Sequence, residues 1–191
     1  MKKIALIGSQ NSGKTTSLYY LSYKLKKESN PLGVGHEVAR ECPYPLNQGG
    51  GLLTQLWILF KQMENEAKLE QYYENIILDR SVYDQIAYTG YLADNGTITQ
   101  ANHNFMKHIS FSWAKIHPYD LLVYLEPLPL EKDSMRGENL LDYQREINRR
   151  FKLLTKTLPE KIITVKVFPK EKRCKEVFKI VSEELYDNYK P

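Results

Sequence analysis

Cysteine is scarce in this chain. Only Cys42 and Cys174 occur, far apart and without a C-x-x-C or Cys/His ligand spacing, so neither a disulfide framework nor a zinc site is implied. No apolar run approaches the ~20 residues that a membrane span requires, and Met1-Lys2-Lys3 leads directly into a strand pattern rather than a signal peptide. A soluble, cytoplasmic protein without a membrane partner is the expectation. Neither sign of charge dominates: 27 basic against 23 acidic residues give +4, a mild excess that suits a polyanionic ligand without demanding a nucleic-acid surface. Internal repeats, low-complexity segments and a guanine-reading N-K-x-D motif are all missing. The 191 residues suffice for one α/β domain, expected to span 1–191, and leave little for a second.

What the chain does have is a phosphate-cradling loop. Gly8-Ser9-Gln10-Asn11-Ser12-Gly13-Lys14-Thr15 fits G-x-x-x-x-G-K-[ST] and lies between an apolar strand pattern, Ile4–Ile7, and a helical pattern, Thr15–Lys27, with Leu18, Tyr19, Leu21 and Leu25 at helical spacing. The glycines let the backbone curl so that successive N–H groups point at phosphate oxygens, and the helix N-terminus adds attraction for the anion. Gly8 to Thr16 are therefore the expected binding segment for ATP. Lys14 should reach the β- and γ-phosphates, and the Thr15 hydroxyl is suited to Mg²⁺.

Further strands are expected at Val34–Val38, Asn75–Asp79, Asp120–Leu125 and Lys161–Val167. Helices are expected at Leu52–Tyr73, Val82–Leu92, Ala101–Ile116 and about Lys170–Tyr186. In the first of these helices Leu53, Leu56, Trp57, Phe60 and Met63 form the candidate core face, and a long loop, Cys42–Gly51, precedes it. Short apolar strands alternating with helices predict a doubly wound, mostly parallel sheet with its ligand at the carboxyl ends of the strands. Asn75-Ile76-Ile77-Leu78-Asp79 is an aliphatic strand closed by an acid, and behind a phosphate loop Asp79 is the candidate metal carboxylate.

Asp79-Arg80-Ser81, with Glu37-Val38-Ala39-Arg40-Glu41, resembles the thymidylate-kinase-like and deoxynucleoside-kinase group of phosphate-loop kinases. Asp84-x-x-Ala87-Tyr88 adds a similarity to ATPase-like kinases related to the nicotinamide-riboside kinase domain. The resemblance covers nearly the whole chain. It implies a three-layer αβα P-loop NTPase fold with five strands in the order 2-3-1-4-5, helices on both faces and a lid at about 128–140. It also implies an ATP·Mg²⁺ donor, a nucleoside-like acceptor and a possible homodimer. By the same resemblance Glu37 takes the place of the general base, Arg80 lies at the reaction centre and Arg136 closes from the lid.

Glu41 is a second candidate base, because acids four apart on a helical turn share a face. Arg145, Arg149 and Arg150 could add cationic contacts to the donor, and Tyr44, Trp57, Tyr83 and Tyr88 could stack on a base. The expected activity is ATP-dependent phosphoryl transfer to a nucleoside, nucleotide or nucleobase-type acceptor. Two alternatives stand beside it: a kinase acting on a hydroxymethylated pyrimidine within DNA, with Lys24, Lys26 and Lys27 as a possible backbone patch, and a nucleotide-driven switch or ATPase.

Overall fold

The computed structural model describes residues 1–27, 31–46, 49–128 and 138–186. Five strands, β1 (Lys2–Ile7), β2 (Gly33–Gly35), β3 (Asn75–Asp79), β4 (Leu121–Leu125) and β5 (Ile162–Val165), form one sheet in the order β2-β3-β1-β4-β5. Every pairing is parallel. The helices are α1 (Lys14–Lys27), α2 (Leu52–Tyr72), α3 (Asp84–Asp94), α4 (Gln100–Ile116), α5 (Glu138–Leu154) and α6 (Lys170–Leu185).

Alternate residues of the central strands face two separate cores, which is why those strands read as unbroken apolar runs. Ala5, Ile7, Ile76, Leu78, Leu122 and Tyr124 pack beneath α2 to α5, against Leu59, Ile86, Met106 and Phe151. Ile4, Leu6, Ile77, Leu121 and Val123 pack on the other face against Leu18, Leu21 and Leu25 of α1 and Val177 and Val181 of α6. The result is the three-layer architecture expected from the sequence. No helix among the described residues is long and apolar enough to cross a membrane.

Two elements differ from the sequence reading. The strand expected at Val34–Val38 is only Gly33–Gly35, and Val38–Glu41 is a 3-10 helix capped by Glu37. On α2, Leu53 and Phe60 are exposed, while Leu56 and Met63 are only partly buried. The face turned inward carries Thr54, Gln55, Ile58, Leu59, Gln62 and Glu66. Hydrophobic periodicity is misleading here because the inward stripe is polar and finds buried partners. The principal one is Lys3, whose Nζ lies 3.3 Å from Glu66 Oε2, both side chains being wholly buried. Removing one member of such a pair strands the other charge in the interior. Lys3→Met is therefore expected to destabilise the fold by about 3–5 kcal/mol, read as a lower denaturant midpoint at unchanged slope.

Candidate active site

The carboxyl ends of β1 and β3 bring the site together. Gly8, directly after β1, has φ +140°, and a Cβ there would lie 2.5 Å from the Leu125 carbonyl oxygen. Gly13 at φ +82° makes the second left-handed bend. Asn11, at φ 57°, takes the left-handed conformation that asparagine tolerates. Three contacts from distant segments hold this loop. Leu128 N–H donates to Asn11 O at 3.1 Å, and Gln144 Nε2 of α5 donates to Gln10 O at 2.7 Å. Arg173 of α6, 2% exposed, donates through Nη1 to Ser12 O at 2.6 Å and to Glu126 O, and through Nε to Val167 O.

Gln10 to Thr16 line a cavity of about 420 Å³ together with Glu37, Arg40, Arg80, Leu128, Gln144 and Lys170. Gly8 and Ser9 do not face it. Both instead present carbonyls to Lys14, whose Nζ donates to Gly8 O at 2.8 Å, Ser9 O at 2.7 Å and Ser12 Oγ at 3.2 Å.

Burial, with the Arg80 charge second, lowers the Lys14 pKa to about 8, although Asp79, Asp84 and Glu37 pull the other way. A phosphate placed at the loop would favour the charged amine and raise that pKa again. Binding of ATP is thus expected to take up a proton, with little uptake at pH 7 and an increasing fraction above pH 8. Affinity should weaken as pH rises through that range. Calorimetry in buffers of different ionisation enthalpy reads the proton directly.

Thr15 Oγ1 donates to Asp79 Oδ2 at 2.5 Å. Asp79 is 1% exposed, and its Oδ1 is buried with no hydrogen-bond partner. An alcohol on the cavity wall backed by an under-used carboxylate matches the hard oxygen donors that Mg²⁺ takes alongside phosphates and water. The two residues therefore fit the ion.

Arg80 joins the elements. It has φ 84°, a conformation that costs a non-glycine residue about 1–2 kcal/mol, and its N–H donates to Leu6 O at 2.9 Å. Its Nε and Nη2 both lie 2.7 Å from Glu37 Oε1. Its Nη1 donates to Asp84 Oδ1 at 3.1 Å and to the Tyr88 hydroxyl at 3.3 Å. Asp84 is itself fixed by the Ser81 N–H and hydroxyl, each donating at 3.0 Å to Oδ2. Burial pushes the Asp84 pKa up, against the opposing charges of Arg80 and Lys14 and the Ser81 hydrogen bonds.

Glu37 stands between the cations. Its Oε2 accepts from Arg40 Nε at 3.1 Å. Burial acts to raise its pKa, but the charge and hydrogen bond of Arg80, with Lys14 and Arg40, outweigh it and hold the carboxyl at about 2. Glu41, the second candidate, is exposed. A 3-10 turn has three residues rather than 3.6, and Glu37 precedes it as the cap, so the two acids do not share a face.

A second cavity of about 190 Å³ adjoins the first and shares Gln10, Glu37, Arg40 and Arg80 with it. Its remaining lining is Ala39, Leu46, Gln55, Ile58, Gln85 and Tyr88. Of the aromatic candidates only Tyr88 reaches it. Tyr83 is core, with its hydroxyl on Glu160 at 2.5 Å. Neither Tyr44 nor Trp57 is among the lining residues.

Arg145 and Arg149 pair on the helix surface with Asp142 and Glu146. Arg150 pairs with Asp94 and Glu146. None of the three lines either cavity. Arg136 and most of the expected lid lie outside the described residues. Sequence reasoning missed Arg173, Gln144, Gln55 and Gln85. Arg173 sits in a lysine-rich helical stretch that reads as surface, and nothing local marks it as a partner of Ser12.

No protein-family model and no curated protein sequence matches the chain. Among solved structures it is similar to the deoxyadenosine kinase of M. mycoides, determined with the products dCMP and a flexible dCDP bound. The TM-score is 0.68 at 21% identity, over 97% of this chain and 100% of that one. With the sheet order and loop geometry above, the likeness shows that the chain has the P-loop NTPase α/β fold.

Proposed function

We propose that the chain is an ATP-dependent kinase that transfers the γ-phosphoryl group to a nucleoside-like acceptor. One observation carries this reading. The cavity over the phosphate loop and the smaller cavity beside it meet at one carboxylate, Glu37, which is flanked by the guanidinium groups of Arg80 and Arg40. A donor phosphate in the first and an acceptor in the second would face each other across that carboxylate. The dCMP and dCDP in the similar solved structure support the class of acceptor.

In this account Lys14 and the loop N–H groups hold the triphosphate, with Gln10 to Thr16 around it. Thr15 and Asp79 would hold Mg²⁺, which would supply positive charge against the triphosphate. Arg80 lies where charge would develop on the transferred group, and the kinase resemblance assigns Arg136, outside the described residues, to the phosphates. Glu37, ionised throughout the neutral range, accepts the hydrogen bond of the acceptor hydroxyl and takes its proton late. A carboxylate held at about pKa 2 is a weak base. Its charge therefore acts by orienting the acceptor hydroxyl and by receiving the proton once transfer has made that hydroxyl strongly acidic.

The acceptor is identified by offering γ-labelled ATP and Mg²⁺ with a panel of nucleosides, nucleotides, nicotinamide riboside, and plain or hydroxymethyluracil-containing DNA. Label is expected in one nucleoside-like class. Label in DNA alone would replace the small-molecule acceptor by a base within a strand, and label in none of them would refute the assignment.

A further inference from the structure

A buried polar network reaches the turn after β3 from α2. Its hub is Glu66, wholly buried. Glu66 Oε2 accepts from Lys3 Nζ at 3.3 Å and from Trp113 Nε1 at 3.0 Å. Glu66 Oε1 accepts from Gln62 Nε2 at 2.9 Å and from the Tyr119 hydroxyl at 2.7 Å. Lys3 is secured in turn by Glu70 Oε1 at 2.8 Å and the His117 carbonyl at 2.6 Å.

Two of the four donors on Glu66 continue to the turn that carries Arg80. Gln62 Nε2 directs its other hydrogen to the Arg80 carbonyl at 3.3 Å. The Tyr119 oxygen accepts from Val82 N–H at 3.0 Å. The peptide groups on either side of Ser81 are thus gripped by side chains that converge on one carboxylate.

The direction of each bond is set by its neighbours. Gln62 Nε2 faces two acceptors, so the amide has one orientation that satisfies both. Tyr119 has one proton, given to Glu66, which leaves its oxygen free to accept from Val82. Hydrogen-bonded side chains in such a network polarise and stiffen one another.

We propose that Gln62 and Tyr119, aligned by Glu66, are positioning residues for the phosphoryl transfer. They hold Arg80 in its left-handed conformation and so aim its guanidinium at Glu37 and the phosphate cavity. This inference rests on the kinase assignment above. Stability alone does not require the arrangement, since apolar residues of equal volume replace buried ion pairs with little loss. What the polar set adds is direction, at a backbone position where an arginine would otherwise relax to negative φ.

The test uses Gln62→Met, which keeps the length of the side chain and removes the amide, and Tyr119→Phe as an independent second variant. Gln62→Met is expected to lower kcat about tenfold while the KM for ATP stays within about twofold. Because the effect passes through Arg80, the same change in an Arg80→Met background is expected to alter kcat by less than about twofold. Hydrogen exchange of the amides from Arg80 to Val82 should accelerate in both single variants.

Multiplicative losses in the double variant would overturn the proposal, as would unchanged kcat with only a lower melting temperature. Exchange is read without an acceptor, so it separates the two claims. A wild-type chain that transfers no phosphate refutes the kinase, while unchanged protection at Arg80–Val82 refutes the clamp.

Discussion

Glu37→Gln is expected to lower kcat by about 10²–10⁴-fold with a change of only a few-fold in the affinity for MgATP. Glutamine keeps an oxygen that can accept from Arg80 Nε and Nη2, which now lie 2.7 Å from Glu37 Oε1. The contact to Arg80 can therefore persist, while the negative charge and the contact from the exposed Arg40 to Oε2 are lost. No phosphate-loop contact changes, since Lys14 bonds to Gly8, Ser9 and Ser12 and not to Glu37. In the proposed mechanism, what disappears is the charge that orients an acceptor hydroxyl and receives its proton.

The size of the loss also reports the acceptor. A hydroxyl must give up a proton, whereas a phosphate oxygen is already ionised and needs no base. A loss in the full range identifies a hydroxyl acceptor. A fall below about tenfold, with transfer otherwise intact, assigns the acceptor oxygen to a phosphate and removes the base role from Glu37. Steady-state kinetics with ATP held saturating, followed by titration of ATP, separate the two parameters.

Lys14→Met is expected to reduce transfer by about 10³-fold or more and, unlike Glu37→Gln, to weaken ATP binding as well. The amine is 5% exposed and in the free protein its charge is shared among two carbonyls and a hydroxyl of its own loop. On the proposed function, binding exchanges those partners for phosphate oxygens in a site where the field is little screened by water. Methionine fills similar volume without the charge, so the loop is expected to stay folded, held by Arg173, Gln144 and Leu128. Equilibrium binding of a fluorescent ATP analogue and transfer of label measure the two losses. Unaltered affinity for the analogue would remove Lys14 from the phosphate site.

Much of this arrangement is legible in the chain. The phosphate loop is contiguous, so spacing alone identifies Gly8 to Thr15, and β3 ends on Asp79 where an apolar run meets an acid. The sheet follows from five apolar runs between helical patterns, and its observed order matches the order implied by the kinase resemblance. The kinase resemblance points to Glu37 and Arg80, but nothing local states that they touch across 43 positions.

What escaped reading depends on contacts between distant segments. Gln55, Gln62 and Glu66 are polar residues on the inward face of α2, where a periodicity rule assigns the core to Leu53 and Phe60. The rule fails because Lys3, Trp113 and Tyr119 donate to Glu66 in the interior, and none of these is near α2 in sequence. Arg173 fails to announce itself for the same reason. A lysine-rich helix start reads as solvated surface until the fold lays it against the carbonyls of Ser12, Glu126 and Val167. Pairing Glu41 with Glu37 requires an α-helical spacing that the 3-10 turn does not have.

The most direct measurement is the destination of the γ-phosphate. With γ-labelled ATP, Mg²⁺ and the best acceptor of the panel, a kinase places the label on the acceptor, in step with ADP formed, and loses that product in Lys14→Met. Label appearing only as free phosphate, with ADP formed at the same rate whether or not an acceptor is present, would contradict phosphoryl transfer and identify an ATPase or switch.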